Sequence, residues 1–224
     1  MTIDEEWNEY FGGAAFKSEH TVKSYKNSHK RITSYIGKPI AKGSVGELIE
    51  AVANLSEKAY IINFLLINYN TRNADLDVEF VNSIHTTKAN KKRNYIVSRK
   101  NDFVYIRNDY KTFSKYGQKR FIFKSVPFGR AVKYLVAQHA PNERVFLLDR
   151  EGLQIDPSSI GNYIKKYTYK NLTEGDYNKI AVSAITDIAD IKQLEQMGDR
   201  RGTDLKTLIT YYNIPYSEKT WGKY

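Results

Sequence analysis

The spacing of apolar residues changes between residues 94 and 124, and this change limits the possible folds more than any other feature of the chain. Three short segments there are rich in β-branched and aromatic residues: Asn94–Arg99, Asp102–Arg107 and Lys119–Lys124. Turn-forming residues at 100–102 and 116–118 separate them. Short runs of this composition, bounded by turns, are typical of strands that pair with their neighbours in sequence. The pattern predicts an antiparallel meander of three strands.

Helical spacing dominates on both sides of the meander, with apolar residues recurring every three or four positions. The predicted helices are Ser18–Ile36, Val45–Leu55 after a Ser44 cap, Glu57–Tyr69 after a Ser56 cap, Phe128–Gln138, a helix capped by Ser158 or Ser159, Lys179 to about Met197, and Asp204–Tyr212. The fold class is therefore α+β, mostly helical with a small three-stranded meander. A linker at Lys38–Gly43 divides a short helical segment, residues 1–43, from a main domain, residues 44–214, and a tail follows at residues 215–224.

Positive charge is in excess and is clustered. The 35 Lys and Arg residues outnumber the 25 Asp and Glu residues, giving a net charge of +10. Such a balance indicates a polyanionic partner, most often nucleic acid, although a merely soluble basic surface is the alternative. The 18 tyrosines are interleaved with the basic clusters and would suit base stacking or phosphate contacts, but tyrosine serves as core filler just as often. The residues expected to contact the nucleic acid are Lys88, Lys91, Lys92, Arg93, Lys115, Lys165 and Lys166.

Several locations are excluded by what the chain lacks. The longest apolar run, Ala59–Ile67, is interrupted by Asn63 and is far shorter than the ~20 residues that cross a bilayer. The acidic N-terminus has neither a secretory nor a transit pattern. The absence of cysteine removes disulfides and thiolate chemistry and permits a reducing compartment. We expect an intracellular protein that is neither secreted nor inserted in a membrane.

The sequence contains no recognisable motif for binding a metal ion or a cofactor. There is no His-Glu-x-x-His pair, no phosphate-binding loop and no Gly-x-Gly-x-x-Gly. The four histidines, His20, His29, His85 and His139, are far apart in sequence and are expected to be structural. Two carboxylate pairs could bind Mg²⁺, but helix starts and solvated faces produce such pairs routinely: Asp75 with Asp77, and Asp187 with Asp190. We expect neither metal nor cofactor.

Three segments occur in a characteristic order along the chain. In Asn70–Leu76, directly after an apolar helix, an arginine precedes a predicted helix opened by an acidic residue and leucine. Tyr110–Thr112 places a lysine at the end of the second predicted strand, and Arg201–Ile214 contains two adjacent tyrosines near its end. In this order the segments resemble the first box, the β-hairpin lysine and the terminal tyrosine box of the tyrosine recombinase (integrase) family, especially its divergent branch in large DNA viruses and their parasites. The resemblance covers about residues 58–214.

The resemblance implies that Arg72 clamps the phosphate, Lys111 is the general acid, and Tyr212 forms a 3′-phosphotyrosine. The chemistry suits these residue types, because a guanidinium stays charged and grips two oxygens of a phosphorane, while a lysine can protonate the departing 5′ oxygen. Because the covalent link between tyrosine and DNA preserves the energy of the phosphodiester bond, rejoining needs neither a metal ion nor a nucleotide. Alternatives stay open for each role. Arg72 is alternatively an ordinary residue before a capped helix, and Lys115 or Lys119 is alternatively the acid. Tyr211 is the alternative nucleophile, since a helix turns ~100° per residue and only one of the two tyrosines can face the phosphate.

The family's second box, His-x-x-Arg, is only partly matched. Lys179 takes the histidine place, and Val182, 30 residues before Tyr212, takes the arginine place, so half of the phosphate clamp is missing. Arg200 or Arg201 lies where the family usually has His or Trp near the nucleophile, and either could compensate in part or form an ordinary surface pair. The resemblance thus implies a recombinase that cleaves and rejoins double-stranded DNA. The alternative is a catalytically silent DNA-binding or genome-packaging protein, and a third reading is an RNA-binding protein that uses the meander.

The two ends of the chain bear on assembly. Residues 1–43 supply one clear helix where full family members carry a helical clamp of several helices, so binding is expected to be weaker unless a homo-oligomer on DNA restores it. Tyr216, Trp221 and Tyr224 give the tail the aromatic content of an anchor on a partner subunit. A tail that folds back on its own subunit is the alternative.

Overall fold

The structure, a computed structural model, describes residues 55–88, 90–138, 146–148, 151–183, 191–205 and 207–208, with the isolated positions 27, 48, 50 and 51. Positions 48, 50 and 51 are helical, in agreement with the predicted helix Val45–Leu55, and so is position 27 within Ser18–Ile36. Leu55, the predicted last residue of Val45–Leu55, lies in a bend, and the other residues of those two helices, the linker and the tail lie outside the described residues.

The helices and strands of the described part follow in a mixed order. They are helix α1 Glu57–Tyr69, strands β1 Val78–Val81, β2 Asn94–Ser98 and β3 Phe103–Arg107, helix α2 Phe113–Tyr116, strand β4 Lys119–Phe123, and helices α3 Val126–Ala137, α4 Ile160–Lys165, α5 Glu174–Ser183 and α6 Ile191–Arg201. Single 3₁₀ turns lie at Ala74–Leu76, Thr86–Lys88, Pro157–Ser159 and Tyr169–Asn171. The fold is α+β, as predicted.

Within the described residues, the sheet has four strands and not three. β2, β3 and β4 form the predicted antiparallel meander, and β1 adds to the free side of β2 in parallel, with Val78 opposite Asn94. A parallel neighbour requires a long crossover, here residues 82–93, so no tight turn marks the pairing in the sequence. The prediction of a three-stranded meander was therefore incomplete.

Helix α1 is the centre of the core. Ile61, Ile62, Leu65 and Leu66 are buried on it, and an apolar surface on all sides is typical of a helix enclosed by other elements. Asn63, which interrupts the apolar run, is also buried and donates to the carbonyls of Ala59 and Tyr167 at 2.6 and 2.9 Å. The polar residue that interrupts the apolar run therefore links α1 to the segment after α4 by a hydrogen bond.

The two faces of the sheet are packed differently. On one face, aromatic side chains of β3 and β4 pack against α1 and α3, with Phe64 and Phe128 rings 4.8 Å apart at the centre. The other face carries a smaller cluster: Val81, Tyr95, Val97, Val104 and Ile106. Because side chains alternate along a strand, Arg107 shares the core-facing side with Tyr105 and Phe103.

Some predicted helix caps and boundaries were wrong, for local reasons. Helix α1 has its predicted bounds, but the Ser56 side chain before it makes no capping bond. Asp156, not Ser158 or Ser159, accepts from a backbone N–H before α4, at 2.8 Å. The helix predicted from Lys179 begins at Glu174, where Thr173 and Asp176 bond each other's backbone N–H groups as a capping box does.

Within the described residues, the same predicted helix is represented by α5 up to Ser183 and by α6 from Ile191, and α6 continues past Met197 to Arg201; residues 184–190 lie outside the described part. Helix α3 begins at Val126, two residues earlier than predicted, because Ser125 accepts from the N–H of Phe128 at 3.3 Å. The last predicted helix begins after Asp204, whose carboxylate accepts from the N–H of Thr207 at 2.8 Å, and residues beyond 208 lie outside the described part. Among the described helices, none is long and apolar enough to cross a membrane.

Candidate active site

Arg72 follows the end of α1 in a sharply turned segment. Asn70 ends the helix in the left-handed conformation with φ +48°, which asparagine adopts more easily than most residues. The carboxylate of Asp75 accepts from the backbone N–H of Arg72 at 3.0 Å and closes the 3₁₀ turn Ala74–Leu76. The helix expected after Arg72 is therefore a single 3₁₀ turn, and Asn73, which precedes it, makes no side-chain capping bond. The half-buried side chain of Arg72 reaches across the fold to α6.

Arg72 binds the C-terminal end of α6 through its guanidinium. Nη1 donates to the carbonyl of Arg201 at 2.9 Å and Nη2 to the carbonyl of Gly202 at 3.4 Å. The last carbonyls of a helix have no partner within the helix and carry partial negative charge. A guanidinium is a suitable partner for them because it has five donors. The first predicted box and the start of the terminal box are thus in direct contact.

Arg107 completes this contact and was not predicted. It lies at the end of β3 with no exposed surface, and its Nη2 lies 2.9 Å from Oδ2 of Asp75. Nη1 donates to the carbonyl of Arg200 at 2.6 Å, and the guanidinium lies 4.7 Å from the centre of the Tyr110 ring. The available signal was its place in strand β3, two residues after Tyr105 and therefore on the core-facing side.

Arg201 is enclosed in the same region. It is 3% exposed, and its Nη1 donates to the carbonyl of Asn70 at 3.0 Å while Nη2 bonds the carboxylate of Glu174. Glu174 also accepts from the backbone N–H of Asn73 at 3.0 Å. The predicted residue Arg201 therefore lies beside Arg72, and its side chain joins α6 to α5 and to the segment after α1.

Arg72 lies among charged groups of both signs. Burial lowers the pKa of Arg72, and the neighbouring charges of Arg201 and Arg107 lower it further, against the opposing effect of Asp75 and Glu174. Three guanidinium groups thus face two carboxylates. A phosphate placed against the half-buried Arg72 would offset the repulsion among these cations. Burial raises the pKa of Asp75, and Arg107 acts in the opposite direction.

The predicted general acid, Lys111, lies on an exposed loop between β3 and α2. The next residue, Thr112, donates from Oγ1 to the carbonyl of Gly202 at 2.6 Å. The loop therefore contacts the same turn after α6, at Arg201 and Gly202, to which Arg72 bonds; we call this turn the α6 corner. Of the two alternatives, Lys119 pairs with Asp199 on α6, whereas Lys115 is exposed on α2 with its Nζ 5.1 Å from the Tyr116 ring. Lys111 is thus exposed, whereas the ammonium group of Lys119 is engaged by a carboxylate.

The second predicted box is placed less favourably. Lys179 is buried on α5, 5% exposed, one residue after Asn178, which accepts from the Asn70 side chain at 3.2 Å. Val182 is 1% exposed and packs with Met197 and Leu208 in a separate apolar cluster. The position aligned with the second arginine is thus part of the core. Tyr211 and Tyr212 lie outside the described residues.

The predicted nucleic-acid contacts are mostly exposed. Arg93 is the exception, because its guanidinium lies 3.6 Å from Asp77 and 3.8 Å from Glu79. The exposed members are Lys88, Lys91, Lys92, Lys115, Lys165 and Lys166. Within the described ranges, no group of three or more His, Asp or Glu side chains is arranged to hold a metal ion.

Comparison with known proteins gives one structural likeness. No family model matches the chain, and no curated protein matches it. The crystal structure of XerA recombinase aligns over 94% of this chain and 92% of its own, with 11% sequence identity and a TM-score of 0.47. A likeness of that size leaves the family of this chain to be decided from its own residues.

Proposed function

We propose that this protein cleaves and rejoins double-stranded DNA at specific sites through a tyrosine linked to the 3′ phosphate. Arg72 is the phosphate-binding arginine, Lys111 the general acid and Tyr212 the nucleophile. The enzyme acts as a homo-oligomer on paired sites, inside the cell or in a viral factory, in a reducing compartment. It uses neither metal nor nucleotide cofactor.

One observation carries the proposal: three segments distant in sequence meet at the C-terminal end of α6. Arg72 and the loop of Lys111 both bond the carbonyl of Gly202, ten residues before Tyr212. Phosphoryl transfer to a phenol requires a cation that binds the phosphate, a proton donor and the phenol itself. Here these are an arginine, an exposed lysine and a tyrosine that follows the α6 segment. The surplus of cations at Arg72 supports an anionic substrate there.

The reaction balances with these groups alone. The Tyr212 oxygen loses its proton to water and attacks phosphorus, and the bond between phosphorus and the 5′ oxygen breaks. The ammonium group of Lys111 gives its proton to that oxygen, which leaves as a hydroxyl. Arg72 balances the charge that gathers on the non-bridging oxygens. Rejoining is the reverse, with the 5′ hydroxyl attacking the phosphotyrosine.

The second candidate is a catalytically silent DNA-binding or genome-packaging protein. Val182 favours it, because the position aligned with a second arginine is enclosed by Met197 and Leu208. Arg201 does not replace that arginine as a substrate clamp, since it is 3% exposed and its guanidinium is bonded to the Asn70 carbonyl and the Glu174 carboxylate, whereas Arg72 is only half-buried. A catalytic protein would rely on Arg72 as its main guanidinium.

Suicide duplexes with a nicked candidate site separate the two functions. The full chain is incubated with each duplex, and a denaturing gel reports covalent protein–DNA adducts, while a native gel reports binding. We expect an adduct with the wild type, none with Tyr212→Phe and unchanged binding in both. Tyr134→Phe is the matched control, because it removes a hydroxyl from an exposed tyrosine on α3.

Each other outcome has one meaning. An adduct that persists in Tyr212→Phe and disappears in Tyr211→Phe moves the nucleophile by one residue. Persistence in the double variant ends the tyrosine mechanism. Tight binding without any adduct from the wild type favours the silent DNA-binding protein, and absence of binding removes both candidates.

A further inference from the structure

The loop that carries Lys111 is fixed on both sides. Upstream, Asn94 Oδ1 accepts from the backbone N–H groups of Asn108 and Asp109 at 2.9 and 2.8 Å. On the downstream side, the carbonyl of Gly117 accepts from the hydroxyl of the buried Tyr110 at 2.6 Å. These bonds hold the loop to the sheet and to α2. They do not by themselves set its position relative to Arg72.

Thr112 supplies that connection. It stands at the N-cap position of α2, where a threonine hydroxyl usually accepts from the helix backbone, yet it makes no capping bond. Its Oγ1 instead donates to the carbonyl of Gly202 at 2.6 Å. The same carbonyl accepts from Nη2 of Arg72 at 3.4 Å. One oxygen atom therefore joins the residue after Lys111 to the predicted phosphate-binding arginine.

The residue at position 202 must be small for this approach. Gly202 has φ +68°, a conformation that strains other residues. A Cβ atom there would lie 2.6 Å from Oγ1 of Thr112 and 2.8 Å from the Tyr110 ring. Backbone conformation and close contact thus both require glycine, and the contact brings the lysine loop against the corner after α6.

We propose that Thr112, through the carbonyl of Gly202, is a positioning residue that fixes the Lys111 ammonium relative to the phosphate held by Arg72. The inference rests on the proposed function. Thr112 does not touch the substrate. Its loss lets the loop move away from the corner, so the proton of Lys111 no longer arrives at the departing 5′ oxygen, whereas attack on phosphorus and DNA binding are unaffected.

The test compares two leaving groups in otherwise identical suicide duplexes. One duplex has the ordinary 5′ oxygen at the cleavage site, and the other has a bridging 5′ sulfur, which leaves without a proton because thiols are far stronger acids than alcohols. Thr112→Val removes the donor and keeps the shape, and Thr112→Ser keeps the donor. Thr168→Val is the matched control, because Thr168 makes a comparable 2.8 Å bond to the carbonyl of Lys165 away from the loop.

We expect Thr112→Val to slow single-turnover cleavage of the oxygen duplex about 10- to 100-fold, a part of the 10²–10⁴ that a general acid contributes. The sulfur duplex should be cleaved at the wild-type rate, and Thr112→Ser and Thr168→Val should resemble the wild type on both. A wild-type rate for Thr112→Val on oxygen, or an equal loss on both duplexes, overturns the inference. If the wild type forms no adduct on the oxygen duplex and none on the sulfur duplex, the proposed function itself is wrong.

Hydrogen exchange of the free protein tests the connection without catalysis. Thr112→Val should speed exchange of peptides covering both 108–113 and 198–205 about fivefold, the factor expected for one lost hydrogen bond. Thr112→Ser should not. Unchanged exchange in 198–205 would show that the loop and the corner are not joined through Thr112, whatever the enzyme assays give.

Discussion

Arg107 and Asp75 form an ion pair of 2.9 Å in which neither side chain has exposed surface. The Asp75 carboxylate oxygen in this pair also accepts from the N–H of Arg72, and the Asp75 carbonyl accepts from the hydroxyl of Tyr105 at 2.8 Å. Because removal of one partner leaves the other charge buried without compensation, such pairs are costly to break. The pair joins strand β3 to the turn that presents Arg72.

Arg107→Met should lower the free energy of unfolding by about 3–5 kcal/mol, measured by urea denaturation. Adding Asp75→Asn should recover part of this loss, because the amide oxygen still accepts from Arg72 and no unpaired charge remains. Arg99→Met is the matched control, since Arg99 pairs with Asp102 at the surface, and it should leave the midpoint almost unchanged. Equal effects of Arg107→Met and Arg99→Met would contradict a structural role for the buried pair.

Val182→Arg should unfold the protein or cost about 4 kcal/mol or more, because it buries an unpaired charge among Met197 and Leu208. Val182→Ala, the control, should cost about 2 kcal/mol through the lost methyl groups. Denaturation curves give both values. If Val182→Arg stays folded and raises the adduct yield, residue 182 can present a guanidinium to the substrate and our description of this cluster fails.

Tyr69 should make the fold sensitive to alkaline pH. Burial raises its pKa to about 12 from an ordinary value near 10. Below pH 10 both states keep the proton; as pH rises to 12 the unfolded state loses it first and is stabilised, so the free energy of unfolding falls. Tyr69→Phe should show a smaller fall between pH 9 and 11.5 in urea midpoints. Parallel curves for the two proteins would mean that Tyr69 ionises normally.

DNA affinity should depend on salt through the exposed lysines. Each lost phosphate contact reduces the slope of log K against log salt by about 0.9, so replacing Lys88, Lys91 and Lys92 by Ala should reduce it by about 2 to 3. Arg93→Ala is the control and should change the slope little, because Asp77 and Glu79 already balance its charge. A wild-type slope near zero would remove nucleic acid as the partner.

The local signals in the sequence predicted local structure well. The apolar run and its flanks predicted α1 with its observed bounds, and β-branched and aromatic runs between turns predicted β2, β3 and β4. Capping was less predictable, since Ser56 makes no capping bond while Asp156 does, and the choice depends on backbone geometry. β1 was missed because only four residues form it and its partner is reached by a long crossover.

The candidate site divides in the same way. The sequence by itself determined which residue types are present: Arg72 before an acidic turn, Lys111 after a strand, and tyrosines at the end of the chain. Only the tertiary structure decided that Arg107 is buried against Asp75, that Val182 is a core residue, and that Gly202 receives both Arg72 and Thr112. Spacing along the chain encodes the periodicity of one element, whereas these contacts join residues some 15 to 130 positions apart and arise only when separate elements pack together.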